Sequence, residues 1–456
     1  MSATNASKAL WALCLTAFLV PFMGSALNLA LPQISQEFSF NAVGLTWIAT
    51  SYLIATAIFQ IPFARLGDIW GRKKVFLCGV FFFSLCTLLS GFAPSGTALI
   101  ILRSLSGIGS AMMFGTNIAI LSSLFPPEKR GSALGINVAV VYASLAAGPF
   151  LGGMLAHYFG WQSIFFVCGG LGLLAVVLAK IFIKDEWREA KGEKFDYTGA
   201  LIYGLALLGV ILGCSLLPGT QGFIYLALGL LAFVFFINFE RRCASPVCNV
   251  KLFSHNHVFS LSSLAALINY ASTSAIAFMM SLYLQYVKGF DARHAGLILI
   301  SQACIQAVCT LLAGRLADKY APARLASLGM AISVIGLTGL IFVQTDTSIS
   351  LIIMLMCLLG LGFGLFATPN THVIMGSVEK KYYGQASAVT GTMRLTGQAF
   401  SMGIAGMALA LQLGDQKIHS GVYPQFMSSM KITFIICALL CLLGVYASMQ
   451  RNKTVR

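Results

Sequence analysis

Two arginines sit inside long apolar stretches of the chain, Arg103 in LIILRSLSGIGSA and Arg394 in TGTMRLTGQAF. A charge at the centre of a bilayer costs about 2.5–3.5 kcal/mol on the insertion scale, so each is expected to face protein or a polar cavity rather than lipid. There, a fixed cation can hold an anionic or polar molecule, or bias a nearby proton site. The alternative is structural: a guanidinium bonded to helix carbonyls. It weighs more on Arg394, which lies nearer the end of its stretch. No carboxylate accompanies the two arginines, because all 14 Asp and Glu fall in loops or at the ends of apolar stretches. Uncharged polar side chains complete the set: Asn28, Asn117, Asn137, Tyr142, Asn269, Tyr283, Gln302, Gln306 and Gln398. Each is a candidate to line a cavity, and each could equally hydrogen-bond a neighbouring helix. His372 could titrate near neutral pH or sit in a connecting loop.

A second kind of chemistry lies in two short charged turns. The first, ARLGDIWGRKK (residues 64–74), separates two apolar runs; the second, GRLADKYAPAR (residues 314–324), does the same in the other half of the chain. Both carry R-L-x-D. Gly67 and Gly71 suit tight backbone approach in such a turn. Asp68 could accept from the exposed N–H groups of a helix start, where the helix dipole favours a carboxylate. Arg65, Arg72, Lys73 and Lys74 suit the cytoplasmic side of a membrane. A lone charged turn need do no more than set topology; two copies, Leu66 to Lys73 and the one around Asp318, point to a chain of two related halves.

The elements that must position these residues follow from composition. Hydrophobic residues make up 58% of the chain and charged ones only 9%, against roughly 25% charged in soluble domains. This is the composition of a polytopic membrane protein. A spanning helix needs about 20 apolar residues, and on that ruler about fourteen spans appear. They lie near 9–34, 44–64, 75–93, 97–124, 131–156 and 162–183, then 197–217 and 221–239, then 258–286, 294–314, 325–344, 348–370, 384–411 and 430–449. With the N-terminus inside, about 23 of the 29 Lys and Arg fall in cytoplasmic segments, the asymmetry expected of the positive-inside rule. That rule also accounts for the net charge of +15 without a nucleic-acid partner. Twelve spans would result if the pair at 197–239 lay on the surface, but its length and apolarity favour fourteen. The division reads as a six-helix bundle over 1–183, linkers with two extra helices over 184–256, and a second six-helix bundle over 257–456.

These sequences resemble the major facilitator superfamily of transporters, and within it the fourteen-helix drug:proton antiporters. Leu66, Asp68, Gly71, Arg72 and Lys73 match the family's loop between helices 2 and 3, with Ala64 in place of its usual glycine. In the first span, Asn28, Ala30, Leu31 and Pro32 match D-x-T-x-x-N-x-A-L-P, with Ser25 for the threonine and Met23 for the acid. Arg103, Gly107 and Gly109 match R-x-x-Q-G-x-G in the fourth span, with Ser106 for the glutamine. In the fifth, Gly135 and then Gly148, Pro149, Gly152 and Gly153 resemble the exporters' motif, with Ser144 replacing one glycine. Asp196-Tyr-Thr-Gly-Ala resembles the start of the two extra helices. Small residues at such spacing let helices approach closely, and Pro149 removes a backbone hydrogen bond.

The resemblance implies an all-α major facilitator fold: two pseudo-symmetric bundles around one cavity, in the cell (inner) membrane, with both termini cytoplasmic. It implies proton-coupled efflux of drug-like amphipathic molecules by a monomer, without enzymatic activity, cofactor or metal. Asn28, Arg103, Asn117, Asn137, Tyr142, Asn269, Gln302, Gln306 and Arg394 are the expected cavity residues. Met23 in place of the acid, and the lack of buried carboxylates, weaken the case for cationic drugs. They leave a dedicated carrier of a neutral or anionic metabolite (a vitamin, siderophore or sugar-like compound) as the alternative, and a non-transporting sensor as a minor one. No Walker loop, H-E-x-x-H or nucleophile elbow is present. Most of the 12 cysteines lie in apolar runs as small hydrophobes, and Cys243 and Cys248 do not have zinc spacing.

Overall fold

Fourteen long helices, with no strand between them, account for nearly all of the described residues, which are 3–217, 219–243, 245–248, 250–317, 319–379 and 383–454 of a computed structural model. In chain order they are α1 (Ala3–Phe38), α2 (Ala42–Trp70), α3 (Arg72–Ser90), α4 (Gly96–Leu124), α5 (Pro127–Phe159), α6 (Gln162–Phe182), α7 (Tyr197–Ser215) and α8 (Thr220–Glu240). Then come α9 (His257–Val287), α10 (Ala292–Ala317), α11 (Pro322–Ile341), α12 (Ile349–Gly376), α13 (Tyr383–Leu413) and α14 (Tyr423–Thr454). Thirteen of them are long and apolar enough to cross a membrane. The remaining one, α13, has 31 residues but carries Thr392, Arg394, Thr396 and Gln398. Its polarity keeps it below the same measure and makes it a helix to examine for function.

Local sequence explains where the helices begin. Asn41, Ser95, Asp196 and Asn256 each accept a hydrogen bond from the amide three residues on, at 2.7, 3.2, 2.8 and 2.9 Å. These are N-caps, satisfying donors that have no partner inside the helix. Asp196 therefore has a physical reason to open α7. Several helices outrun their apolar stretches. α12 passes through Pro369-Asn370, where its apolar stretch was expected to end, and continues to Gly376. The exposed His372 consequently lies on a helix.

The first six long helices pack among themselves, chiefly α1 on α5 and α6, and α4 on α2 and α3. The last six do likewise, α12 on α10 and α11, and α14 on α11 and α9, with α13 on α9. Two seams join the halves, α5 against α10 and α2 against α13. Helices α7 and α8 pack on each other, and α7 leans on α13 and α2. Their contact is close because glycines meet: a Cβ at Gly209 would stand 2.9 Å from the Gly229 Cα. The outer face of α8 exposes Phe223, Leu228, Leu231 and Phe235, apolar surface that suits lipid rather than water.

Candidate functional site

The α5–α10 seam is built from glycines and one proline. Gly152 stands against Ala26 of α1, where a Cβ would come within 2.5 Å of the Ala26 Cα. Gly148 has no room for a side chain beside Ser25. On the other side, a Cβ at Gly153 would meet the Ala292 carbonyl oxygen at 2.5 Å, and Gly296 of α10 sits directly against the Pro149 carbonyl. The motif residues thus hold α5 between α1 of its own half and α10 of the other. Gly135 is different: nothing lies within 4 Å of a Cβ there.

Beside this seam is a cavity of about 100 Å³, lined by Ser25, Asn28 and Leu29 of α1, Leu145 and Pro149 of α5, Ala277 of α9, and Leu299, Gln302, Ala303 and Gln306 of α10. Asn28, Gln302 and Gln306 therefore converge between the halves. Drug-sized pockets have roughly 300–1,000 Å³, so this cavity must widen to admit such a molecule. Tyr142 of α5 is half-buried and is not part of this lining. Arg394 of α13 places its guanidinium 5.3 Å from the ring centroid of Phe114 in α4. Both side chains are half-buried, and the pair bridges the halves.

Other expected residues lie inside one half. Arg103 is 2% exposed. It stacks 4.3 Å from the Tyr52 centroid, its Nε donates to the Ile48 carbonyl at 3.4 Å, and its Nη1 has no hydrogen-bond partner among the described residues. This placement matches the structural alternative considered for it, and it does not border the cavity. Asn117 donates to the Leu13 carbonyl at 3.1 Å and the Thr16 hydroxyl at 3.0 Å, while Asn137 reaches Asn117 at 3.5 Å. They tie α1, α4 and α5 together. Asn269 is fully buried in the second half, and neither atom of its amide has a hydrogen-bond partner among the described residues.

The first charged turn is clasped by the segment after α6. Arg72 bonds Asp68 at 2.7 Å and Glu189 at 2.8 Å, and Arg65 pairs with Glu193. Asp68 does not serve the start of α3. Glu186 does so, accepting from the Lys73 amide at 2.9 Å. The Asp68 carboxylate turns to Arg72, and the Asp68 carbonyl accepts from Ala190 at 3.0 Å. Gly71 has φ of +127°, and a Cβ there would be 2.5 Å from the Glu186 carboxyl carbon. Gly67 has Thr116 at 2.8 Å from the same kind of position. In the second turn, Asp318 lies outside the described residues.

Polar contacts between the halves gather at the opposite end, the Asn41 end. Asn41 donates to Asp415 at 3.1 Å, the Ala42 amide donates to the Gln416 carbonyl at 3.3 Å, and Arg293 donates to the Tyr158 hydroxyl at 3.0 Å. Asp291 faces His157 across the seam at 3.4 Å and His294 at 2.7 Å. Burial pushes the Asp291 carboxyl up, but hydrogen bonds from His294 and the charges of the two histidines outweigh it and hold it below its ordinary value. Deeper in, Ser281 donates to the Asn28 carbonyl at 2.7 Å. Sequence reasoning missed this clasp, whose residues come from six separate elements.

Comparison with known proteins places this geometry. The family model described as Major Facilitator Superfamily matches residues 13–240 and 262–453. The chain is 26% identical over 440 residues to the riboflavin transporter RibZ of Clostridioides difficile, covering 95% of this chain and 94% of that one. It is 29% identical over 392 residues to the multidrug resistance protein Stp of Mycobacterium tuberculosis, covering 85% and 72%. In fold it is similar to a bacterial homologue of the human lysosomal transporter Spinster in an inward-facing, unoccupied conformation, with a TM-score of 0.72, 16% identity, and coverage of 100% and 98%.

Proposed function

The chain belongs to the major facilitator superfamily, a multi-pass membrane transporter of small molecules, and from that premise we propose that it exports drug-like amphipathic compounds by alternating access, coupled to inward proton flow. The observation that carries this is the α5–α10 seam, where Gly153 and Gly296 set backbone against backbone beside a cavity between the halves. At these glycines the helices meet without interlocking side chains, and halves that rock about a central site are the expected device of these transporters. The name of the relative Stp supports drug export. In this reading the Asn41 end is extracellular, both termini are cytoplasmic in the cell membrane, and a monomer suffices. Residues 1–183 and 257–456 are the two moving bundles.

The second reading, a dedicated carrier of a neutral or anionic metabolite, is favoured by Arg394 between the halves without a carboxylate beside it. The relative RibZ, named a riboflavin transporter, is consistent with it. Cells stripped of their own exporters decide between the two. Lower accumulation of several unrelated dyes, reversed by a protonophore, is the result expected of the exporter. Accumulation changed for one chemical class alone would replace it with the carrier. No change for any compound, with the protein shown in the membrane, would remove both.

A further inference from the structure

Arg394 lies within α13, the long helix that falls short of the apolarity of a membrane span, and meets the other half at Phe114. Among the described residues it forms no ion pair. What surrounds it is aromatic. Tyr270 of α9 packs against the same helix: a Cβ at Gly397, one turn on from Arg394, would stand 2.9 Å from the Tyr270 Cβ. Tyr270 in turn meets Phe363 of α12 edge to face, with centroids 5.3 Å apart. One cation thus stands beside rings contributed by both halves.

We propose that Arg394, with Phe114 and Tyr270, forms a subsite for planar aromatic anions, so that the transported molecules carry a carboxylate or similar negative group on a ring system. This deepens the transport reading and rests on it. The chemistry is direct. A guanidinium pairs with a carboxylate through parallel N–H donors and also lies flat on aromatic faces. Neighbouring rings stack on a planar guest with offset or edge-on geometry. A cationic guest would meet the Arg394 charge with no carboxylate to offset it.

The test uses two dyes that share a three-ring xanthene and differ in charge, fluorescein (anionic) and rhodamine 6G (cationic). Fluorescence anisotropy is measured on the purified full-length protein in detergent. Fluorescein is expected to bind at least about tenfold more tightly than rhodamine 6G, a factor of ten being one step of affinity. Arg394→Gln removes that preference, Arg394→Lys keeps it in weaker form, and Phe114→Leu weakens fluorescein while leaving the preference in place. Size-exclusion profiles identical to wild type show that the variants fold. Equal or tighter binding of rhodamine 6G, a preference untouched by Arg394→Gln, or no binding of fluorescein would overturn the subsite. The dyes are also followed in membrane vesicles. Fluorescein bound with the expected preference but not moved sustains the subsite and removes the transport reading. Both dyes moved at equal rates removes the subsite and leaves transport standing.

Discussion

The Glu186 carboxylate accepts from the Lys73 amide at 2.9 Å, so the segment after α6 caps α3 from a distance in sequence. That contact frees Asp68 to pair with Arg72 and makes the charged turn part of a larger clasp. Loss of an N-cap costs about 1 kcal/mol. Glu186→Ala is expected to lower the melting temperature of the purified protein modestly. Gly71→Ala should lower it more, because its φ of +127° strains any side chain and its Cβ displaces Glu186; such backbone strain costs on the order of 1–3 kcal/mol. Equal melting temperatures for Gly71→Ala and wild type would show that the clasp is slack.

Gly153 and Gly135 belong to the same motif but have opposite surroundings. Gly153→Val drives a branched side chain into the Ala292 carbonyl, and overpacking of this kind costs about 1–3 kcal/mol. Export should fall at least about tenfold with the protein still in the membrane, since the misfit lies on the face where the halves meet. Gly135→Ala has open space and should export within about twofold of wild type, with the slight gain in helix stability that Ala brings. Dye export from loaded cells reads both.

Arg103 stacks on Tyr52 within the first half. Replacing a buried charge by an apolar side chain of similar size is often neutral, so Arg103→Met should melt within about 1 kcal/mol of wild type. Arg103→Ala leaves a void and should lose about 2–3 kcal/mol. Neither should change the charge preference of dye binding. A preference lost in Arg103→Met would give this arginine a role at the substrate that its packing does not indicate.

Asp291 makes the Asn41 end sensitive to acid. Its carboxyl is held below its ordinary value by His294 and His157. A group with a depressed folded pKa contributes stability above its unfolded pKa, about 3.9 for aspartate, and loses it as pH falls through the folded value. Asp291→Asn should therefore melt lower than wild type at pH 6, and the gap should narrow steadily as pH falls below about 3.9. A gap that does not change with pH would place the effect elsewhere.

The fold was largely legible because apolar length is what a bilayer demands, and fourteen stretches answered it. The seam was legible in part: Gly148, Pro149, Gly152 and Gly153 announce close packing, but only the structure shows which partner each meets. Asn28, Gln302 and Gln306 were found as polar residues in apolar runs and share one cavity. The same rule also selected Asn117 and Asn137, which bond within the first half. Composition cannot separate the two cases, because a polar side chain needs a partner in lipid wherever it points. The Asn41-end clasp left no local pattern, since Asn41 and Asp415 lie at opposite ends of the chain. Glu186 likewise carried no mark of its capping role.

The central claim is that the two halves must part at the Asn41 end for export to proceed. Asn41 and Asp415 are hydrogen-bonded there at 3.1 Å, so Asn41→Cys with Asp415→Cys, in a background cleared of the 12 native cysteines, offers a reversible lock. Export of preloaded dye is timed in the reduced state, after oxidation, and after reductant is restored. Alternating access predicts export when reduced, arrest when the lock is formed, and recovery on reduction. Undiminished export through a fully formed crosslink, or none in the reduced state for any dye tested, would contradict it.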